Sequence, residues 1–221
     1  YHCNGTVLYS ACNPGLSELS YHPIAEAFRP LIENRSQDLK VSPLWLAEAA
    51  RLLPEIYARY PDLPSPLPAR PEETRRRLFE ALAQIANSLQ TRFRPLVICL
   101  DDLHWADAAT LEWLIYLANR LAFQGLSYLL IVGAYQDDEA DRLLELRSAL
   151  KRLGVLEEHL LAPFEDHEVH ALLRHYFPES ADLHELATRL RQISGGNPLL
   201  TIEALQALIE SHMLPDRMPD A

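Results

Sequence analysis

Lysine is nearly absent from this chain: of 20 basic residues, only Lys40 and Lys151 are lysines. Neither follows a glycine, and neither precedes a serine or threonine. Neither can therefore belong to a loop G-x-x-x-x-G-K-[ST], in which backbone amides cradle phosphates while the lysine neutralises their charge. Cysteine is also scarce. Cys3, Cys12 and Cys99 show no metal-ligand spacing, and Cys99 sits inside an apolar run, where it reads as a small core residue. No apolar run approaches the ~18 residues of a spanning helix and no signal peptide is visible. A reducing cytoplasm is the expected compartment, with no membrane partner. The shortage of positive charge leaves a formal net charge of −11, which argues against gripping nucleic acid through its phosphates. No repeat, HExxH motif or local Ser-His-Asp signature is present. His167 and His170 share a helix face but lack a third ligand, so they read as solvated surface histidines.

What is there centres on the run Leu96-Val97-Ile98-Cys99-Leu100-Asp101-Asp102-Leu103-His104-Trp105-Ala106-Asp107. Five apolar residues lead into two adjacent carboxylates. The stretch has the length of a strand buried on both faces. Such a strand delivers its acids to the rim of a parallel sheet, where open α/β sheets bind ligands. One carboxylate there can hold Mg²⁺, and a second can polarise an attacking water, which is the shape of a Walker B element. The alternative is a capping turn with an incidental acid pair. Asp107 reads most simply as the N-cap of the next helix.

Around this run, strands and helices alternate. Thr6–Cys12 reads as a strand ending at Asn13-Pro14-Gly15. A helix follows with Ile24, Ala27, Phe28, Leu31 and Ile32 on one face, and a second is expected from Ser42 to Tyr60. Pro61–Pro71 reads as a semi-rigid connector. Glu72–Thr91 is the next helix, with Leu78, Leu82, Ile85, Ala86 and Leu89 as its buried stripe. After the acidic strand come a helix through Leu111–Ala122, a buried strand Leu126–Ala134, a helix Asp138–Leu153 and a last strand Leu156–Leu161. Alternation of this kind implies a parallel, layered α/β core over residues 1–162. Residues 163–214 are helical only, with Val169, Leu172, Leu173, Tyr176 and Phe177 on one face and Leu183, Leu186, Ala187, Leu190 and Ile193 on the next. A final helix is expected from Leu199 to His212, with 215–221 as a tail. The length of 221 residues suits one α/β domain with a small appendage.

The segment Asp101-Asp102-Leu103-His104-Trp105-Ala106-Asp107 resembles the DDLHWAD signature of STAND-class P-loop ATPases, found in large bacterial LuxR-type and related signalling regulators. Gly133-Ala134-Tyr135-Gln136-Asp137-Asp138-Glu139 is similar to that family's strand-end GTYRDDE, and Ser194-Gly195-Gly196-Asn197-Pro198-Leu199-Leu200 to its T-x-GNPL. The resemblance implies a P-loop NTPase-like α/β core followed by a helical lid. The core is incomplete, because the Walker A loop belongs just upstream of Thr6–Cys12. With its start at Tyr1, the chain reads as a fragment of a longer protein.

By the same resemblance Asp101 belongs to the Mg²⁺ shell and Asp102 orients or activates the attacking water. Gln136 stands where the family has arginine; it offers the terminal phosphate a neutral hydrogen bond in place of a charge-assisted one, which weakens the expectation of hydrolysis. Gly196, Asn197 and Pro198 form a turn whose proline approaches the nucleotide base. That turn can equally be an ordinary helix-ending turn, and both readings can hold together. ATP and Mg²⁺ are expected between core and lid of the intact protein, with none bound tightly by this chain alone. A covalently linked effector domain is the expected partner, self-association through exposed sheet surface a further one, and any DNA contact falls to another domain. The rival reading is a degenerate, non-catalytic ATPase-fold scaffold for a protein partner or regulatory ligand.

Overall fold

Three of the apolar runs pair in parallel, in the order β1 (Thr6–Ala11), β2 (Leu96–Asp101), β3 (Leu129–Gly133). Leu8 lies opposite Ile98, which lies opposite Ile131; one step on, Tyr9, Cys99 and Val132 form the neighbouring row. Parallel neighbours need crossovers rather than tight turns. Helices α1 (His22–Glu33), α2 (Pro43–Ala49), α3 (Glu55–Arg59) and α4 (Pro71–Arg92) connect β1 to β2, and α5 (Ala108–Gln124) connects β2 to β3. The computed structural model describes residues 5–34, 38–124, 128–177 and 183–210. It divides into two units, Tyr1–Glu157 and Glu158–Ala221, each with its own apolar core.

Period-2 alternation decides which side chains of the sheet are covered. Leu8, Leu96, Ile98 and Leu100 are buried, and α1 packs on β1 and β2. The other face carries Val7 (63% exposed), Tyr9 (57%), Leu130 and Val132, with Val97 and Cys99 half-buried between them. The expectation that β2 is buried on both faces is thus corrected: among the described residues helices cover one face, and Cys99 is on the other, half-buried. The expected buried strand at Leu126–Ala134 is likewise the shorter β3, at the margin of the sheet and exposed on its open face; residues 126 and 127 lie outside the described residues.

Over the covered face, α1 and α5 meet through Phe28 and Trp113, edge-on at 6.1 Å and both fully buried. Burying a large apolar side chain stabilises by about 1.5–3 kcal/mol. The single helix expected over Ser42–Tyr60 is two, because Pro54 lacks an N–H and disfavours helical backbone at Leu53. Fully buried Glu48 of α2 is held by Arg51 at 2.7 Å and by Arg77 of α4 at 3.5 Å. Arg51 also donates to the Leu67 carbonyl at 3.0 Å, which ties down the proline-rich residues 61–70. Helix α4 opens with proline at its first position and Glu72 and Glu73 in its first turn, where negative charge complements the helix dipole. Its Glu80 accepts hydrogen bonds from Tyr116 and Arg120 of α5 and from Gln84 at 2.6 Å.

After β3, Asp137–Leu143 is a 3-10 helix rather than the start of an α-helix, and α6 (Leu144–Leu153) follows. The tighter coil eclipses residues three apart, which brings Glu139 to 2.7 Å from Arg142. Gly154, at φ +67, ends α6 in the left-handed conformation that glycine adopts freely. Among the described residues Leu156–Leu161 is not a strand, and Leu161 is 90% exposed. Apolar content alone does not make a strand.

The second unit packs α7 (Asp166–Tyr176), α8 (His184–Ser194) and α9 (Pro198–Glu210) around Val169, Leu173, Phe177, Leu183, Ala187, Leu190, Leu205 and Ile209. A capping box between Glu165 and Glu168 starts α7. Ile193, expected on the buried stripe, is exposed; the next residue, Ser194, turns inward instead. The expected end of the last helix at His212 and the tail 215–221 lie outside the described residues. Among the described residues no helix is long and apolar enough to cross a membrane.

Candidate functional site

All three strands are parallel, so their C-terminal ends form one rim, and β2, the central strand, ends there on Asp101. Alternation puts Asp101 on the open face with Val97 and Cys99. Both of its oxygens are engaged: Oδ1 accepts the Asp102 amide at 3.0 Å, and Oδ2 accepts the Tyr9 hydroxyl at 3.2 Å across the strands. The hydrogen bond to Asp101, reinforced by its charge, holds the Tyr9 phenol above its ordinary pKa.

Asp102 then turns the chain. Its backbone is left-handed (φ 51, ψ 40), a conformation that aspartate tolerates better than most side chains. The Trp105 amide donates to the Asp102 carbonyl at 2.8 Å and closes a 3-10 turn over Leu103–Trp105. β3 pins that turn from the side: the Ala134 amide donates to Leu100 O at 3.0 Å, and the Leu103 amide donates to Ala134 O at 2.8 Å. The approach is close enough that a methyl group on Gly133 would come 2.7 Å from Leu103 Cδ2.

Asp107 completes the rim. It is buried; Oδ1 accepts the Thr110 amide at 2.9 Å and the Tyr21 amide at 3.1 Å, and Oδ2 accepts the Thr110 hydroxyl at 2.5 Å. It therefore caps α5 and at the same time holds the residue that starts α1. Cys12 bonds back to Asp101 O through its amide at 2.9 Å. Burial, and then the charges of Asp107, Asp102 and Asp101, push its thiol up to about 12.

On the neighbouring strand end, Tyr135 is half-buried and Gln136 exposed, with the Gln136 carbonyl accepting the Glu139 amide at 3.1 Å. Arg142 stacks its guanidinium 4.4 Å from the Trp105 ring centre and ties this segment to the acidic turn. His104 is buried against Trp105, and neither ring nitrogen has a hydrogen-bond partner among the described residues.

Gly196, Asn197 and Pro198 belong to the second unit. Gly195 and Gly196 are left-handed (φ 62 and 80), and Gly196 is buried so tightly that a methyl group there would lie 2.5 Å from the Phe164 carbonyl. The Phe164 amide donates to Gly196 O at 2.7 Å. Asn197 Oδ1 accepts the Leu199 amide at 2.9 Å and the Leu200 amide at 3.3 Å, capping α9, whose first residue is the exposed Pro198. Each of these residues thus has a local structural role.

Asp101 and Asp102 are hard oxygen donors beside each other, which suits Mg²⁺ bound through one or two carboxylates together with a ligand's phosphates. Among the described residues no group of three or more His, Cys, Asp or Glu is placed to hold a metal ion alone. Three features of the rim are absent from the sequence reading: the Tyr9 bond to Asp101, the Cys12 contact and the Asp107 link to α1. Alternation marks Tyr9 and Asp101 as candidates for one face, but the long-range register decides that they meet.

Residues 2–132, which include β1, β2 and most of β3, match the family model described as AAA ATPase domain. No curated protein and no solved structure matches the chain significantly.

Proposed function

The chain belongs to the AAA ATPase domain family, and on that premise we propose that it forms part of a STAND-type nucleotide-dependent switch in a bacterial transcriptional or signalling regulator. The observation that supports this best is the acidic rim, where the central strand ends in Asp101 and Asp102 and the neighbouring strand end pins the turn that carries them. Asp101 serves as the Mg²⁺ ligand and Asp102 orients the attacking water. Gln136 offers a neutral hydrogen bond to the terminal phosphate, and Gly196, Asn197 and Pro198 contact the nucleotide. Mg²⁺, when bound, neutralises charge on the phosphates.

Nucleotide contacts made in only one arrangement of the protein shift its populations and thereby control a covalently linked effector domain. The net charge of −11 leaves nucleic-acid contact to that effector. The test is calorimetric titration of ATP·Mg²⁺ into this chain and into the full-length product of its gene, each beside Asp101→Ala. Binding by the full-length protein that Asp101→Ala removes supports the switch. Binding by neither protein favours the scaffold reading, which the exposed Val7, Tyr9, Leu130 and Val132 on the open sheet face support.

A further inference from the structure

Asp101 owes its orientation to a residue 92 positions away. Of the side chains that share its face, Ala11 is directly opposite and too short to offer a partner, while Tyr9, one row back, reaches forward to Oδ2. With the Asp102 amide on Oδ1, each carboxylate oxygen accepts one hydrogen bond. An ionised carboxylate has about four lone-pair sites, so each oxygen keeps one free for a cation or its water. The two donors fix the plane of the carboxylate without exhausting it. The Tyr9 hydroxyl, having donated its proton, also keeps acceptor capacity for a cation-bound water. Tyr9 is 57% exposed, so the hydroxyl contact rather than core packing is what the residue contributes at this position.

We propose that Tyr9 is the positioning residue of the divalent-cation site, holding the Asp101 carboxylate in its coordinating orientation through the hydroxyl-to-Oδ2 hydrogen bond. This rests on the reading of Asp101 as the Mg²⁺ ligand. Partners that hold a ligating carboxylate typically change metal affinity ten- to a hundred-fold when removed. Tyr9→Phe deletes the hydroxyl and keeps the ring.

The experiment titrates Mn²⁺ alone into the ¹⁵N-labelled chain and follows paramagnetic broadening of the Asp102 and Leu103 amide signals. It compares wild type, Tyr9→Phe, Asp101→Asn and Val7→Ala. Val7 is as exposed as Tyr9 on the same strand face, pairs with Val97 rather than with the acidic strand end and has no polar side-chain atom, so it reports any general effect of altering β1. Tyr9→Phe is expected to need roughly ten-fold more Mn²⁺ for half-maximal broadening, with Val7→Ala like wild type and Asp101→Asn beyond the range. Tyr9→Phe matching wild type while Asp101→Asn loses the site would overturn the role of Tyr9 alone. Asp101→Asn matching wild type, or no broadening in any protein, would overturn the cation site and the proposal together. A weakening in Val7→Ala equal to that in Tyr9→Phe would assign the effect to strand packing and overturn the positioning role.

Discussion

Replacing Asp107 by alanine removes three hydrogen bonds from one buried carboxylate: those from the Thr110 amide, the Thr110 hydroxyl and the Tyr21 amide. Loss of a helix N-cap costs about 0.5–2 kcal/mol. The Thr110 hydroxyl is fully buried and the Tyr21 amide is half-buried, and a buried donor left without an acceptor costs about 1–3 kcal/mol. These terms sum to about 2.5–8 kcal/mol, and because the Tyr21 amide is only half-buried the expected destabilisation is in the lower half of that range, about 3–5 kcal/mol. At roughly 2–4 °C per kcal/mol for a domain of this size, melting falls by roughly 6–20 °C. Asp107→Asn keeps a cap acceptor, and asparagine ranks beside aspartate at this position, so its cost stays below about 1 kcal/mol. Thermal melts followed by circular dichroism of the wild type, Asp107→Ala and Asp107→Asn decide the matter. Alanine melting within about 2 °C of wild type would refute the reasoning; asparagine proving as damaging as alanine would show that charge, not capping geometry, holds α1 to α5.

Gly196→Ala places a methyl group against the Phe164 backbone at a position with φ 80; a left-handed non-glycine residue costs about 1–3 kcal/mol before any clash. Proteolysis of the second unit should accelerate accordingly, and unchanged protection would show that the Pro163–Phe164 segment can yield. For Glu80, burial raises the pKa, but hydrogen bonds from Tyr116, Gln84 and Arg120 outweigh it and hold the carboxyl below 4.5. A depressed carboxylate contributes stability that is present above its unfolded pKa and lost as pH falls through the folded one. Urea denaturation should therefore find the cost of Glu80→Gln shrinking as pH falls below about 4.5, whereas a pH-independent difference would remove Glu80 from the acid response. At pH 8, with a pKa of about 12, Cys12 is thiolate in roughly one molecule in ten thousand. Mass spectrometry after brief iodoacetamide treatment should find Cys12 unmodified in the native chain and labelled in urea; prompt native labelling would contradict its burial.

Much of the fold was legible because its signals are local. The apolar run before Asp101 and the helical stripe of Leu78, Leu82, Ile85, Ala86 and Leu89 each declare their period within a few residues, and all five stripe residues are buried. What was not legible depends on neighbours distant in sequence. An apolar run cannot tell a central strand from a marginal one, so β3 read as buried although Leu130 and Val132 are exposed. For the same reason Leu156–Leu161 reads as a strand although it is not one among the described residues. Pro54 was a visible signal that the apolar pattern on either side of it masked. In the candidate site the acids were legible from their place after the strand. Tyr9 was not, because its role follows from pairing Tyr9 with Cys99.

That pairing also sets an order of assembly. β2 meets β3 across a segment of roughly thirty residues that is mostly α5, whereas β1 meets β2 only after roughly ninety residues have been brought back. Closing the longer loop costs about 0.9 kcal/mol more in chain entropy, and its contacts reward the chain only once α1 to α4 are in place. The β2–α5–β3 unit, with the turn through Asp102 and Asp107, is the nucleus this topology favours; β1 docks onto a rim already formed. Substitutions in β1 therefore act mainly on the unfolding rate, and those in α5 on the folding rate. On this order, the backbone of Asp101 is placed before β1 brings the tyrosine that bonds its carboxylate.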